Sequence, residues 1–288
     1  MGAKLGIFLI RMVAVLPLRW VRLLGRALGW VLYAVVPGRR RVVMVNLAVC
    51  FPDWTEDERR SCCLRTFERF AQSWLDRGWL WHGSAATVRQ RLHIEGSAQR
   101  LDSGQPTVLF APHFLGLDAA WTALTQQIDR PFTTIYTDQA NKTADAWILA
   151  GRKRFGSGRL FGRSDGVQEI VSSLRSGDPL YLLPDMNFGV EESLFVPFFD
   201  VPAATVPSLS RFARLGRAKV MPVIARMTAH GYTISLGPVW NDVPSRDLQA
   251  DTALMNRRLE EWIRTMPDQY YWVHKRFKSR PPGLPDLY

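Results

Sequence analysis

With 288 residues, 47% of them hydrophobic, the chain can bury a full core, and its composition excludes a disordered or fibrous protein. Its 37 basic against 26 acidic side chains leave a formal charge of +11, which favours anionic partners such as nucleic acid, phospholipid headgroups or an acidic carrier protein. Eleven tryptophans, several beside cations as in Arg19-Trp20 and Arg77-Gly78-Trp79-Leu80-Trp81, turn that choice toward a lipid surface and away from nucleic acid. The three cysteines, Cys50 and Cys62-Cys63, fit neither a disulfide framework nor a zinc pattern and read as reduced structural thiols.

From Leu5 to Pro37 the chain is largely apolar, yet Arg11, Arg19, Arg22 and Arg26 interrupt it before any run reaches the roughly 18 residues of a clean transmembrane helix. At about 100° per residue, Lys4 and those arginines fall within an arc of roughly 80°, so the segment is strongly amphipathic. It is expected to lie in the headgroup layer or to run as a tilted anchor whose arginines snorkel or face the protein. Packing of the stripe on the domain core is a third reading. Recurrent arginines and the lack of an Ala-x-Ala site speak against a cleaved signal peptide. Pro17 should kink the helix, and Pro37-Gly38 should end it ahead of Arg39-Arg40-Arg41, a cluster suited to the negatively charged cytoplasmic leaflet. Residues 1–38 are thus expected to form an N-terminal membrane anchor helix and residues 39–288 a single domain.

Thr55 with Glu58 makes a capping-box pattern that opens a helix running toward Trp81. Thr107 to Ala111 reads as a buried strand and Leu117 to Ile128 as the helix after it. Phe132 to Tyr136 reads as a strand, the regions from Thr143 to Phe155 and Val167 to Leu174 as helices, and Pro179 to Leu183 as a strand. Lys219 to Ala225 and Tyr232 to Leu236 add strands, and Leu248 to Met266 a late amphipathic helix stopped by Pro267. Such alternation predicts an α/β domain with a mixed central sheet flanked by helices.

Four segments have the residue types of a reactive site. In Ala111-Pro112-His113-Phe114-Leu115-Gly116-Leu117-Asp118 a buried strand ends in a histidine, with a carboxylate five residues on. On one continuous helix the two would sit roughly 140° apart, but across a strand-to-helix turn they can meet. Asp118 would then hold one imidazole nitrogen and leave the other free as a general base. Unsupported, the same spacing fits a satisfied loop histidine, although strand carboxyl ends are where open α/β sheets place ligands. The run from Gly151 to Arg163 mixes five cations with glycines and suits either phosphate and oxyanion binding or plain solvation. At its end Gly162-Arg163-Ser164-Asp165-Gly166 matches the G-x-S-x-G elbow of serine hydrolases, with Asp185 and His230 or His274 downstream. An elbow needs a buried strand before it, which the glycine-rich, charged Gly156 to Phe161 does not resemble. Finally, Tyr181-Leu182-Leu183-Pro184-Asp185 carries a carboxylate past another strand end, there either to serve a site or to cap a turn. No nucleotide-binding glycine motif or metal-binding His/Cys cluster occurs, so no metal and no cofactor are expected.

Taken in order, these pieces resemble the lipid A biosynthesis acyltransferase family, the late lauroyl/myristoyl acyltransferases, which are related to glycerolipid acyltransferases sharing an HxxxxD motif. The resemblance spans Arg41 through Asn46 to Pro52, His113 to Asp118, Gly151-Arg152, Pro184-Asp185 with Phe188-Gly189, Phe195 to Phe199, Ala203 to Thr205, and the block Gln269 to Pro281. Some members carry Glu where this chain has Asp118. The resemblance implies a single catalytic acyltransferase domain at 39–288, on the cytoplasmic face of the inner membrane. It implies an acyl carrier protein donor and a lipid A precursor as acceptor, acylated on the hydroxyl of a hydroxyacyl chain, with an anionic membrane surface as a further partner. By it His113 is the catalytic base and Asp118 its orienter, while Arg152, Asp185 and Arg163 are substrate-binding. Two alternatives remain open: another phospholipid or glycolipid acceptor, and a serine hydrolase using Ser164.

Overall fold

The computed structural model describes residues 2–96, 98, 101, 103–162 and 165–288. The amphipathic segment forms two helices, α1 (Gly2–Val13) and α2 (Leu18–Val35), broken just before Pro17-Leu18 as its lack of a backbone donor requires. Pro37 ends α2 but also opens a third helix, α3 (Pro37–Cys50), at a position where the missing N–H costs nothing. Among the described residues no single helix is long and apolar enough to cross a membrane; α2 and α3, bent by 95°, pass that test only together.

Glycine decides how α2 docks. Cβ atoms added at Gly25 and Gly29 would lie 2.5 Å and 2.4 Å from Gln72 and Glu68 of the long helix α4 (Glu56–His82), so only glycine lets the two backbones come this close. Arg22 beside them pairs with Asp76 of α4, which also accepts from Trp79 Nε1 (2.8 Å) and Tyr232 Oη (2.6 Å). One member of the arginine stripe therefore faces the protein, while Arg11, Arg19 and Arg26 remain exposed. So do Leu5, Phe8, Leu9, Met12, Val15, Trp20, Leu23, Leu24 and Trp30, an apolar surface far beyond scattered single side chains.

The expected capping box opens α4: Thr55 Oγ1 accepts from Glu58 N, and Glu58 Oε2 accepts from Thr55 N at 2.7 Å. After α5 (Ala85–Arg91) come β1 (Leu92–Gly96), β2 (Thr107–Phe110), α6 (Leu117–Gln127), β3 (Thr133–Tyr136), α7 (Lys142–Arg152), β4 (Arg159–Gly162), α8 (Val167–Arg175) and β5 (Leu180–Leu182). A separate antiparallel hairpin, β6 (Leu194–Phe198) and β7 (Val201–Thr205), precedes α9 (Ser208–Gly216), β8 (Lys219–Thr228), β9 (Gly231–Leu236) and α10 (Leu248–Thr265).

The main sheet has the order β1-β9-β8-β2-β5-β3-β4, parallel throughout except for the β8/β9 pair, so the expected mixed sheet flanked by helices is what forms. Its two faces bury separate cores, and β2 alternates between them: Val108 and Phe110 join Leu47, Phe198 and Trp272, while Leu109 joins Trp79, Trp121 and Tyr232. From β2 the chain first builds outward through β3 and β4 and later returns to its other side as β8. The carboxyl end of β2 therefore lies at a topological switch point, where open α/β sheets leave a crevice. Two short edge strands, β1 and β4, and the β6/β7 hairpin are not legible as strands in the sequence; β4 occupies part of the glycine-rich, cationic run from Gly151 to Arg163.

Candidate active site

The register of two central strands assembles the site. β2 and β5 are parallel neighbours with Phe110 opposite Leu182, and each continues through a proline, Ala111-Pro112-His113 on one and Leu183-Pro184-Asp185 on the other. Counting three residues past the paired position on both strands sets His113 opposite Asp185. His113 Nδ1 lies 2.7 Å from Asp185 Oδ1, and the His113 backbone N–H donates to the same carboxylate at 3.0 Å from Oδ2. Asp185 is fully buried and takes a further hydrogen bond from Tyr270 Oη at 3.0 Å. Burial by itself would raise its pKa, but the facing imidazole and the bonds from His113 and Tyr270 outweigh that and hold the carboxyl below the usual range. An ionised carboxylate can only accept, so Nδ1 carries the proton and Nε2 is left with its lone pair. Nε2 has no hydrogen-bond partner among the described residues.

This corrects the expected pairing of His113 with Asp118. Asp118 sits in the first turn of α6, and both of its oxygens are taken by guanidinium groups: Arg152 Nε at 2.8 Å and Arg77 Nη2 at 2.6 Å. It too is buried. Desolvation would raise its pKa, and the charges and bonds of Arg152 and Arg77 override that and lower it. The physical reason for the exchange is directional: the turn that begins α6 points Asp118 at α4 and α7, whereas the strand beside β2 already supplies a carboxylate at the level of the histidine.

Arg77 was not singled out for a role from the sequence. On α4 it lies one turn from Ser73 and Trp74, donates to the Ser73 carbonyl, and stacks its guanidinium 4.2 Å from the Trp74 ring centroid. Arg152, at the end of α7, spends Nε on Asp118 and leans on the Tyr136 ring; its terminal nitrogens have no hydrogen bond among the described residues. The other cations of the 151–163 run diverge. Arg154 donates to the carbonyls of Leu80 and Gly83 at the end of α4, and Arg159 reaches Asp178 at 3.7 Å, so the run is not one anion cradle. Arg163 and Ser164 lie outside the described residues. A strand, β4, does precede them, contrary to expectation, but it is a half-exposed edge strand, not the buried strand of an elbow. Asp185, the carboxylate offered to that serine, is already committed to His113.

The Gln269–Tyr271 segment explains why the end of the chain matters. Leu115 N donates to the Gln269 carbonyl and Tyr271 N to the His113 carbonyl, so this segment pairs with the histidine loop from one side while Asp185 holds it from the other. It is itself fastened by Asn46 of α3, whose Nδ2 donates to the carbonyls of Trp272 (2.7 Å) and His274 (2.8 Å), and by Arg276, which donates to the Ala204 carbonyl. Burial, with the charges of Arg276 and His113, pushes His274 down to about 4, so it stays neutral where it accepts from Asn187 N.

His113, Asp118, Arg77 and Arg152 all line one cleft of about 1430 Å³. A strand-end imidazole, oriented by a buried carboxylate and presenting a free nitrogen to such a cleft, is the equipment of an enzyme that moves a proton. A profile of the bacterial lipid A biosynthesis acyltransferase family matches residues 1–279, and the chain belongs to that family. It is 32% identical to a lipid A biosynthesis acyltransferase of Haemophilus influenzae, covering 100% of this chain and 90% of that one. It is 28% identical to the lipid A biosynthesis lauroyltransferase and to the lipid A biosynthesis myristoyltransferase of Escherichia coli, over 99% and 98% of this chain and 94% and 88% of theirs. A solved 1-acyl-sn-glycerophosphate acyltransferase from Thermotoga maritima superposes with a TM-score of 0.41 at 12% identity, covering 85% of this chain and 97% of that one.

Proposed function

We infer that this acyltransferase moves a fatty acyl chain from an acyl carrier protein thioester to the hydroxyl of a hydroxyacyl chain on a lipid A precursor, with His113 as general base. The observation that carries this is the His113–Asp185 pair, which leaves Nε2 unbonded and facing a cleft large enough for two lipid chains. Nε2 takes the acceptor hydroxyl proton as its oxygen bonds to the thioester carbon. The tetrahedral oxyanion then collapses, the carbon–sulfur bond breaks, and the imidazolium returns the proton to the departing sulfur. The free donors of Arg152 face the negative charge that builds up in the cleft, and Asp118 holds Arg152 and Arg77 in place.

The exposed apolar surface of α1 and α2, interleaved with Arg11, Arg19 and Arg26, suits a helix pair seated in the headgroup layer of an anionic leaflet, the cytoplasmic face of the inner membrane. A net charge of +11 suits an acidic carrier, and added salt should raise the KM for it.

The decisive test pairs each acyl carrier thioester with a lipid A precursor, a phospholipid or another glycolipid and weighs the lipid product. The precursor should gain one acyl mass, and His113→Ala should lose about 10²- to 10⁴-fold in kcat with an unchanged melting curve. Full activity of that variant, or acylation of the phospholipid alone, overturns the reading.

A further inference from the structure

Beyond residue 35, the exposed large hydrophobic side chains among the described residues are Val167, Phe188, Val190, Leu215 and Leu284. All but Leu284 line the catalytic cleft. Apolar side chains left in water around one opening mark a place where something apolar binds.

The cleft has three differently built sides. Near α1 and α2, which both pack on α4, its wall is Phe70, Trp74, Arg77 and Tyr271, aromatic and cationic. Over the end of β3 it is polar, with Thr134, Tyr136, Thr137 and Gln139. Between α8 and α9 it is largely hydrocarbon: Leu182, Ile170 and Phe212 are buried inside and Val167 and Leu215 lie at the opening, with the less buried Ser208 and Arg211 of α9 beside them. The spacing of the helices produces that third side. Val167, Ile170 and Val171 form the i, i+3, i+4 stripe of α8, and Phe212 and Leu215 are three apart on α9. Val167, Val171 and Leu215 then continue into a shallow surface groove that they share with Gln168, Ser172 and Arg175.

We propose that the passage between α8 and α9 holds the hydrocarbon chain of the acyl donor, and that Ile170, Phe212, Val167 and Leu215 determine which chain length reacts. This rests on the acyl-transfer reading above. Both substrates must present their reacting atoms to His113 Nε2, so their chains enter from different sides. The acceptor, a membrane lipid, is assigned to the side beside the exposed helices α1 and α2. The polar side suits the amide-bearing arm of a thioester. That leaves the donor chain for the passage whose inner wall, Leu182, Ile170 and Phe212, is the most apolar of the three, where each buried methylene is worth about fourfold in affinity.

The test uses the full-length protein with a series of acyl carrier thioesters of increasing chain length competing for one acceptor, read by product mass. Val167 and Leu215 are 52% and 45% exposed, so Val167→Trp and Leu215→Trp can fill the passage without disturbing the core. Each should shift the preferred donor toward shorter chains, lowering the long-to-short ratio of kcat/KM about tenfold. Phe212→Ala should shift it the other way. A parallel series that varies the acceptor's chain with a fixed donor should show no such shift. An unchanged donor profile in both tryptophan variants, or a shift that follows the acceptor chain, overturns the proposal. Absence of transfer by the unsubstituted enzyme from every thioester sinks the acyl-transfer reading, and this assignment with it.

Discussion

Asp118 and Asp185 are both buried, both held below the usual carboxylate range, and both beside the candidate active site, yet they face different charges. Asp185 meets one imidazole, which it holds through a side-chain and a backbone hydrogen bond. Asp118 meets two guanidinium groups whose charge never changes. In the proposed mechanism the first carboxylate belongs to the proton-transfer apparatus, and the second to the wall that holds cations in position. Nearness to the histidine in sequence does not separate these roles; the direction each side chain takes from its element does.

The largest expected effect tests the first half of that contrast. Asp185→Asn keeps the shape but offers His113 an amide, which permits the wrong tautomer, and kcat should fall about 10³- to 10⁴-fold with KM little changed, as loss of the orienting carboxylate does in hydrolytic triads. A drop below tenfold would remove Asp185 from the catalytic apparatus. Next comes Asp118→Asn. It leaves two half-buried guanidinium groups without their carboxylate and should cost about 1–3 kcal/mol of stability in chemical denaturation. Its kcat loss should be smaller, about 10- to 100-fold, through displaced Arg152. If Asp118→Asn costs more in kcat than Asp185→Asn while folding normally, the roles assigned here are reversed.

How much of this was readable beforehand follows the range of the interaction. The buried strands at 107–110 and 180–182, the capping box at Thr55 and the helix at 248–265 are written in local pattern, and the structure has them within a few residues. His113, Asp185 and Arg152 could each be picked out as polar residues just past elements. Their pairing could not, because it depends on β5 and not β3 lying beside β2, which is a fact of sheet order. The one available signal was the repeat of a buried strand, a proline and a polar residue at Ala111-Pro112-His113 and Leu183-Pro184-Asp185. Arg77 was passed over as a cation among tryptophans on an amphipathic helix, since what singles it out, Asp118, is 41 residues away. Edge strands β1 and β4 lack a buried run because one side of each meets solvent.

Arg77 sharpens the comparison at smaller scale. Arg77→Lys keeps the charge but loses the planar fork that reaches Ser73, Asp118 and the Trp74 ring together. A fivefold to tenfold fall in kcat/KM is expected, with the donor chain-length profile unaltered. A profile that changes would place Arg77 against the hydrocarbon chain instead of on the opposite wall.

The smallest expected effect is one of pH. Asp118 has its pKa lowered on folding, so its contribution to stability is fully present above the ordinary carboxylate value, about 3.9, and is lost as pH falls through the lowered folded value. The melting temperatures of the unsubstituted protein and Asp118→Asn should therefore differ by a constant amount from pH 7 down to about 5 and draw together below about 4. Both proteins keep Asp185 and the same histidines, so those groups cancel in the difference. The same experiment on Asp185→Asn should also converge in acid, because the facing His113 and the bond from Tyr270 likewise hold the Asp185 carboxyl below its usual range. A flat difference down to about pH 5 followed by acid convergence is what a carboxylate held between two guanidinium groups must produce. A gap that stays open below about pH 4 would mean that Asp118 is not held ionised by Arg152 and Arg77.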